Sequence, residues 1–298
     1  MTKNQKWLLG ILLTVFILGI GLFFAALLIT AFSRDDFTLA GSFGERIGVL
    51  EIKGIINDSD ELRRQIKFLR EDQRVRAVVV RINSPGGAVA PSQEIFEQLS
   101  RLRDETDKPV VVSMGTVAAS GGYYIACAAD SILAVPGTLT GSIGVLLEFP
   151  DLHEILKKVG IDFKVIKSAE HKDIGSPFRP ITDEEKRILQ EMVDDVFYQF
   201  VEVVSVERGL PWDSVMTIAD GRVFSGRQAK ELGLVDRTGS FQDALDMAGR
   251  MCGLGENPKI IRPSRERRSM LDFVAETATR LSDPASGFAS PRLLYLFR

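Results

Sequence analysis

The sequence predicts an α/β protein with a mostly parallel sheet, preceded by one N-terminal transmembrane helix. Three observations carry this. Continuous β-branched runs such as VRAVVVRI (75–82) read as strands buried on both faces, as parallel sheets require. Such runs alternate with stretches of helical spacing, which argues for crossover units. Residues 7–32 (WLLGILLTVFILGIGLFFAALLITAF) contain no charged residue. At ~1.5 Å per residue they extend about 39 Å as a helix, enough to cross a hydrocarbon core of roughly 30 Å.

The elements follow in order. A cleaved leader has a shorter apolar region, ~7–15 residues, ending at a small-residue cleavage site. The run 7–32 is longer and leads into SRDD, so an uncleaved anchor is expected. Lys3 and Lys6 precede it, and Arg34, Asp35 and Asp36 follow. The positive-inside rule then places residues 1–6 in the cytoplasm and the remainder on the outer side of a cytoplasmic membrane. Residues 33–44 read as a tether and 45–262 as the globular domain. RIGVLEIKG (46–54) reads as a strand, and DELRRQIKFLRED (60–72) as a helix with Leu62, Ile66 and Leu69 on one face. Strand 75–82 leads into the turn NSPGG (83–87). Helix 90–106 follows, with Ile95, Leu99 and Leu102 aligned. KPVVVSMG (108–115) is a buried strand, AASGGYYIACAAD (118–130) a helix opened by a Ser-Gly-Gly turn, and SILAVP (131–136) a short strand. IDFKVIKS (161–168) reads as a further strand. Residues 182–209 read as a long helix capped by Thr182 with an acidic first turn, and 219–253 as a segment with two short helices. Residues 263–298 form a tail, with a basic run, a stretch of helical spacing and a Pro/Gly/Ser-rich end. Such a tail is either solvated, or its apolar end LLYLF docks on a partner subunit, the membrane or the protein's own groove.

Composition narrows the function. The chain has 298 residues, 45 % hydrophobic and 26 % charged, which excludes a disordered chain, a collagen-like repeat and a small disulfide scaffold. A net charge of −3 supplies no positive field, so nucleic acid is not an expected partner. Cys127 and Cys252 are too few for a paired-cysteine metal site. Cys127 is expected to be a small buried hydrophobe, the alternative being a disulfide with Cys252. His153 and His171 exclude a histidine-rich metal centre and leave two candidates for any serine–histidine pair.

Ser120 lies between a buried strand and an apolar helix, next to Gly121 and Gly122. A strand-to-helix turn exposes a side chain at the sheet's carboxyl edge, where α/β proteins place their sites. Adjacent glycines admit a substrate carbonyl. Ser120 therefore has the surroundings of an acyl-transfer nucleophile, the plain alternative being a helix N-cap. One amide of the NSPGG turn and one from Gly121 would make a two-donor oxyanion hole. A serine needs a base, and a lysine serves only when uncharged. Lys167, Lys172 and His171 are the candidates, and composition does not choose between them. Ser142, in the Gly-flanked run TLTGSIGV (138–145), could orient a lysine amine.

Five motifs, NSPGG (83–87), AASGGYYIACAAD (118–130), TLTGSIGV (138–145), KSAEHKDIGSPFRPIT (167–182) and ADGRVFSGRQAKELGLVD (219–236), occur in one order at close spacings. Over about residues 45–253 the chain resembles the short-form signal peptide peptidase family, serine–lysine proteases of the ClpP/crotonase-like superfold with repeated β-β-α units. The resemblance implies Ser120 as nucleophile, Lys172 as general base, Ser142 as its supporting serine, and Gly87 and Gly121 as oxyanion donors. It also implies a ring or dome homo-oligomer, peptide substrates such as remnant signal peptides, and no cofactor or metal. Competing readings are a crotonase-like acyl-CoA enzyme, a catalytically idle peptide-binding scaffold, and a ClpP-like protease associated with stomatin-type proteins. The last usually has additional membrane spans.

Overall fold

The computed structural model describes Leu18, residues 44–263 and residues 292–297. The expected membrane span and tether lie outside these apart from Leu18 and Gly44. Among the described residues no helix is long and apolar enough to cross a membrane.

Strands β1 (Arg46–Lys53), β2 (Val75–Ser84) and β4 (Val110–Ala119) form the centre of the main sheet. The order is β10-β1-β2-β4-β5-β9, where β5 is Ser131–Ala134, β9 Arg237–Thr238 and β10 Ile260–Ile261. Each of these pairs is parallel. Beyond β5, strand β6 (Leu139–Gly141) pairs parallel with the far end of β4, and β8 (Val223–Ser225) pairs antiparallel with β6. The expected mostly parallel α/β sheet is present.

Alternation along the strands divides the core. Leu50, Ile52, Val78, Val80, Ile82, Val110, Val112 and Met114 face one side. There they meet α1 (Asp60–Glu71), α2 (Val89–Glu105), α3 (Gly121–Ala126) and α5 (Asp183–Arg208). Ile47, Val49, Ala77, Val79 and Val111 face the other side and meet Ala244, Leu245 and Ala248 of α8 (Phe241–Met251). Both faces of the central strands are covered, which is why their sequences are continuously apolar. Leu99 of α2 is fully buried. Leu99→Ala is expected to cost about 3 kcal/mol, read as a lower denaturant midpoint with unchanged slope.

The boundaries follow local chemistry. Thr182 caps α5, its hydroxyl accepting from Glu185 N while the Glu185 carboxylate accepts from Thr182 N. The helix stops at Gly209, whose φ of 62° is open to glycine. Cys127 is buried and both cysteines are free. One sequence expectation fails: residues 161–168 form no strand. The apolar alternation of Ile161, Phe163 and Val165 is real, but these side chains are exposed and no strand pairs with them among the described residues; Ile161 N instead donates back to Leu156 O at 3.0 Å. A strand needs a neighbour as well as a pattern.

A second, three-stranded antiparallel sheet has the order β3-β11-β7, made from Gly86–Ala88, Arg292–Leu296 and Leu146–Glu148. Its central strand is the apolar tail segment. Rather than leaving that segment free, the structure seats it in the protein's own groove.

Candidate active site

The parallel register brings three sequence motifs to one sheet edge. Ser84 pairs with Ala118 across β2 and β4, and Ala119 pairs with Gly141 across β4 and β6. NSPGG, Ser120 and Ser142 therefore emerge together at the carboxyl ends of three adjacent strands, the edge where α/β sheets hold ligands. Ser120 N donates to Gly141 O at 2.8 Å, and Ser142 N donates to Arg222 O at 2.9 Å.

Both serines have left-handed backbones, Ser120 at φ 54° and Ser142 at φ 52°. Such conformations cost ~1–3 kcal/mol each and persist only where surrounding structure enforces them. Ser120 precedes α3, but its side chain makes no capping hydrogen bond. That removes the helix-cap explanation for a serine there. Ser120 is 1 % exposed.

What covers it is a peptide. Strand β11 pairs antiparallel with β3 on one side, through Leu294–Ala88, Tyr295–Gly87 and Leu296–Gly86. On the other side it pairs with β7, through Arg292–Glu148, Leu293–Leu147 and Leu294–Leu146. Phe297 N also donates to Pro85 O at 2.8 Å. The carbonyl oxygen of Tyr295 points at the turn glycines. A methyl group built on Gly86 would lie 2.0 Å from that oxygen and 2.7 Å from Gly121 N, and one on Gly121 would lie 3.2 Å from the same oxygen. Gly86, at φ 97°, is thus the glycine whose missing side chain makes room for the carbonyl. Gly87 is expected from the sequence as an amide donor, a role distinct from this clearance. Gly87 pairs with Tyr295 but packs its α-carbon against the Ile56 backbone. The Tyr295 carbonyl thus lies by Gly121, its residue pairs with Gly87, and Ser120 is the residue before Gly121.

Beside Ser142 lies a cavity lined by Val145, Phe197, Asp220, Leu296 and Phe297. It receives the chain beyond Tyr295.

The three candidate bases separate. Lys167 Nζ donates to Asp173 Oδ1 at 2.7 Å and to Glu170 O at 2.6 Å, so its amine is committed. His171 has its Nε2 4.0 Å from Glu184 and its Nδ1 buried without a partner. Among the described residues neither His171 nor His153, which is bound to Asp151, hydrogen-bonds a serine. Lys172 sits on a 3₁₀ turn, Glu170–Asp173, with its side chain exposed. It makes no ion pair among the described residues, and no hydrogen bond joins it to Ser120. The structure does not bring Lys172 onto Ser120 within this chain.

The lysine-bearing segment is pinned at its base. Arg179 bridges Asp173 and Glu185, tying the turn to the start of α5. Glu185 is buried, and chiefly the Arg179 hydrogen bond holds its carboxyl down at about 2, below its ordinary 4.5. Arg179, then Lys167, depress Asp173 further below the usual carboxylate range. A carboxyl depressed on folding stabilises fully above its unfolded value and loses that contribution as pH falls towards its folded one. The thermal midpoint is therefore expected to drop as pH falls from about 4.5 towards 2. Glu185→Gln should flatten that dependence while lowering the midpoint at neutral pH. An unchanged acid profile in Glu185→Gln would remove the carboxylate from this role.

Residues 103–254 match the family model described as peptidase family S49, and residues 45–138 match that of the Clp protease. The chain belongs to peptidase family S49. It is 45 % identical over 212 residues to a putative protease of Synechocystis, covering 70 % of this chain and 76 % of that one. It is 36 % identical over 277 residues to a putative protease of Methanocaldococcus jannaschii, covering 88 % of each. A putative signal peptide peptidase SppA of Enterococcus faecium is 36 % identical over 219 residues, 69 % of this chain and 63 % of that one. This S49 peptidase is a serine protease, and the motif resemblance read from its sequence agrees with these relatives.

Sequence reasoning missed the groove's inner wall. Gly86 was within reach, since it stands in the quoted NSPGG. Tyr124 and Phe200, which pack on the Tyr295 ring, and Phe96, which packs on Tyr124 behind them, carry no local signal that distinguishes them from core residues.

Proposed function

We propose that this S49 peptidase is a membrane-anchored endopeptidase that degrades remnant signal peptides and other apolar or unfolded chains. The observation that carries the reading is strand β11. An extended peptide lies antiparallel between β3 and β7 with one carbonyl at Gly86 and Gly121, one residue from Ser120. A groove that adds a peptide as a strand recognises backbone, so it favours unfolded substrates.

In this reading Ser120 attacks the carbonyl held at the turn, and the uncharged amine of Lys172 takes the hydroxyl proton. The amides of Gly87 and Gly121 stabilise the oxyanion, and Ser142 orients the lysine. The lysine then protonates the leaving amine, and water releases the acyl group from Ser120. Lys172 is exposed and makes no ion pair among the described residues, whereas Ser120 is buried, so in this reading the lysine is supplied by a neighbouring copy in a homo-oligomer. The segment around it supports that docking: Ile155, Val159, Ile161, Phe163, Val165 and Ile166 are all exposed, an apolar surface of the kind that marks interaction sites. Residues 7–32 anchor the chain in the cytoplasmic membrane with the catalytic domain on the outer side.

Incubation of the detergent-solubilised full chain with a fluorogenic peptide of signal-peptide-like apolar sequence tests this. Cleavage within that peptide, with a folded hydrophilic protein left intact, is expected. Cleavage of acyl-CoA thioesters in place of the peptide would overturn it.

A further inference from the structure

Within the NSPGG turn one side chain makes contacts that the catalytic reading does not use. Ser84, the last residue of β2, is completely buried. Its hydroxyl donates to Gly54 O, just beyond β1, at 2.6 Å and accepts from Gly86 N at 3.1 Å. Gly54 N in turn donates to Asn83 O at 3.1 Å. The ends of β1 and β2 are thereby clamped together where the chain turns into β3.

The amides of that turn can be accounted for one by one. Pro85 has none. Gly86 N is taken by the Ser84 hydroxyl. Ile56 forms a parallel bridge with Gly87, in which Ile56 N donates to Gly86 O at 2.9 Å and Ala88 N donates to Ile56 O at 2.7 Å. In such a bridge the flanking residues turn their polar groups to the partner, and the central residue turns its own the opposite way. Gly87 N therefore faces away from Ile56, towards the groove in which β11 pairs with β3. On the Ile56 side the turn has no room to shift, since a methyl group on Gly87 would lie 2.1 Å from Ile56 O. Ser84 supplies the restraint at the other end. By holding Gly86 N it fixes the peptide plane from which Gly86 takes its φ of 97°, and the direction of the next amide depends on that angle.

We infer that Ser84 is a positioning residue of the oxyanion hole: its buried hydroxyl holds the Gly86 amide inside the turn and so aims the Gly87 amide at the oxygen of the bond under attack. The inference rests on the proposed roles of Ser120 as nucleophile and Gly87 as oxyanion donor. Ser84 acts only through the turn, and its effect belongs to the transition state, because a preorganised amide counts most where charge develops. A small error in aim costs rate and leaves capture of the peptide as a strand in place.

The full chain in detergent tests this with a fluorogenic apolar peptide. Ser84→Ala is expected to lower kcat by about tenfold to a hundredfold and to leave KM within about twofold. Ser84→Cys keeps the shape of the side chain with a thiol that donates and accepts only weakly. It should fall likewise, and it serves where the alanine variant does not fold. Ser113 controls for the loss of a buried hydroxyl: it is fully buried and accepts from Arg81 Nη1 at 2.7 Å on the α8 face of the sheet. Ser113→Ala should leave kcat within about twofold. An unchanged kcat in the Ser84 variants, a rise in KM alone, or an equal fall in Ser113→Ala would overturn the inference. A second readout compares inhibition by a peptide aldehyde, whose carbonyl carbon bonds to Ser120 Oγ and whose oxygen enters the hole, with the alcohol of the same sequence. The unsubstituted chain should prefer the aldehyde by about a hundredfold or more, and Ser84→Ala should shrink that preference by the factor lost in kcat. Full preference in Ser84→Ala would overturn the role of Ser84 and leave the reading of Ser120 intact. Equal inhibition of the unsubstituted chain by both compounds would overturn the reading of Ser120, and this inference with it.

Discussion

Ser120→Ala is expected to reduce kcat/KM for apolar peptides by about 10⁴-fold or more, the scale on which a covalent nucleophile's loss is felt. The fold should survive. Ser120 makes no side-chain hydrogen bond to cap α3, and its left-handed backbone is imposed by the junction of β4 with α3 and the Gly141 carbonyl. Alanine must adopt the same φ, so a small loss of stability accompanies a large loss of turnover. Circular dichroism and the thermal midpoint should move little. Peptide binding should persist, because the strand pairing with β3 and β7 remains. Turnover within a few fold of the unsubstituted chain would overturn the assignment of Ser120 and with it the oxyanion role of Gly87 and Gly121.

The second large effect concerns Lys172. Lys172→Ala is expected to abolish turnover, whereas Lys167→Ala is expected to leave the chemistry in place and loosen the turn that Asp173 anchors. The sharper outcome comes from mixing. If each site joins Ser120 of one copy to Lys172 of the next, neither Ser120→Ala nor Lys172→Ala is active alone. Reassembling the two in equal amounts then restores about one quarter of the sites, since each random neighbour pair has one chance in four of combining both intact residues. If each site lies within one chain, no mixture recovers activity. The exposure of Lys172 and its lack of an ion pair among the described residues, beside a buried Ser120, favour the first outcome. Co-purification of the mixed chains in one assembly checks that exchange has occurred.

Strand β11 bears on both experiments. It covers Ser120, so a substrate must displace it. Its grip is two edges of backbone pairing and one buried ring. A short segment held this way exchanges with added peptide by mass action. Activity measured against weakly binding peptides will therefore underestimate the open site.

Much of this protein was legible from local chemistry. Continuous β-branched runs between amphipathic helices dictate a parallel sheet with both faces covered, and the observed β1, β2 and β4 obey that. The cap at Thr182, the stop at Gly209 and the turn at NSPGG follow from side-chain and backbone preferences that act over four or five residues. Ser120 and its glycines could be picked out for the same reason, because a strand-to-helix turn exposes what it carries. Residues 161–168 mark the limit of such reasoning. Their pattern is that of a strand, but no strand among the described residues pairs with them. The tail marks it too: LLYLF is apolar, and apolarity alone leaves a partner, a membrane and a groove equally open. Only the tertiary structure decided among them, by placing β3 and β7 a strand's width from β11 on either side and closing Tyr124 and Phe200 around Tyr295. Elements are set by interactions between near neighbours in sequence. A site is set by which distant elements meet, and that depends on the whole packed chain.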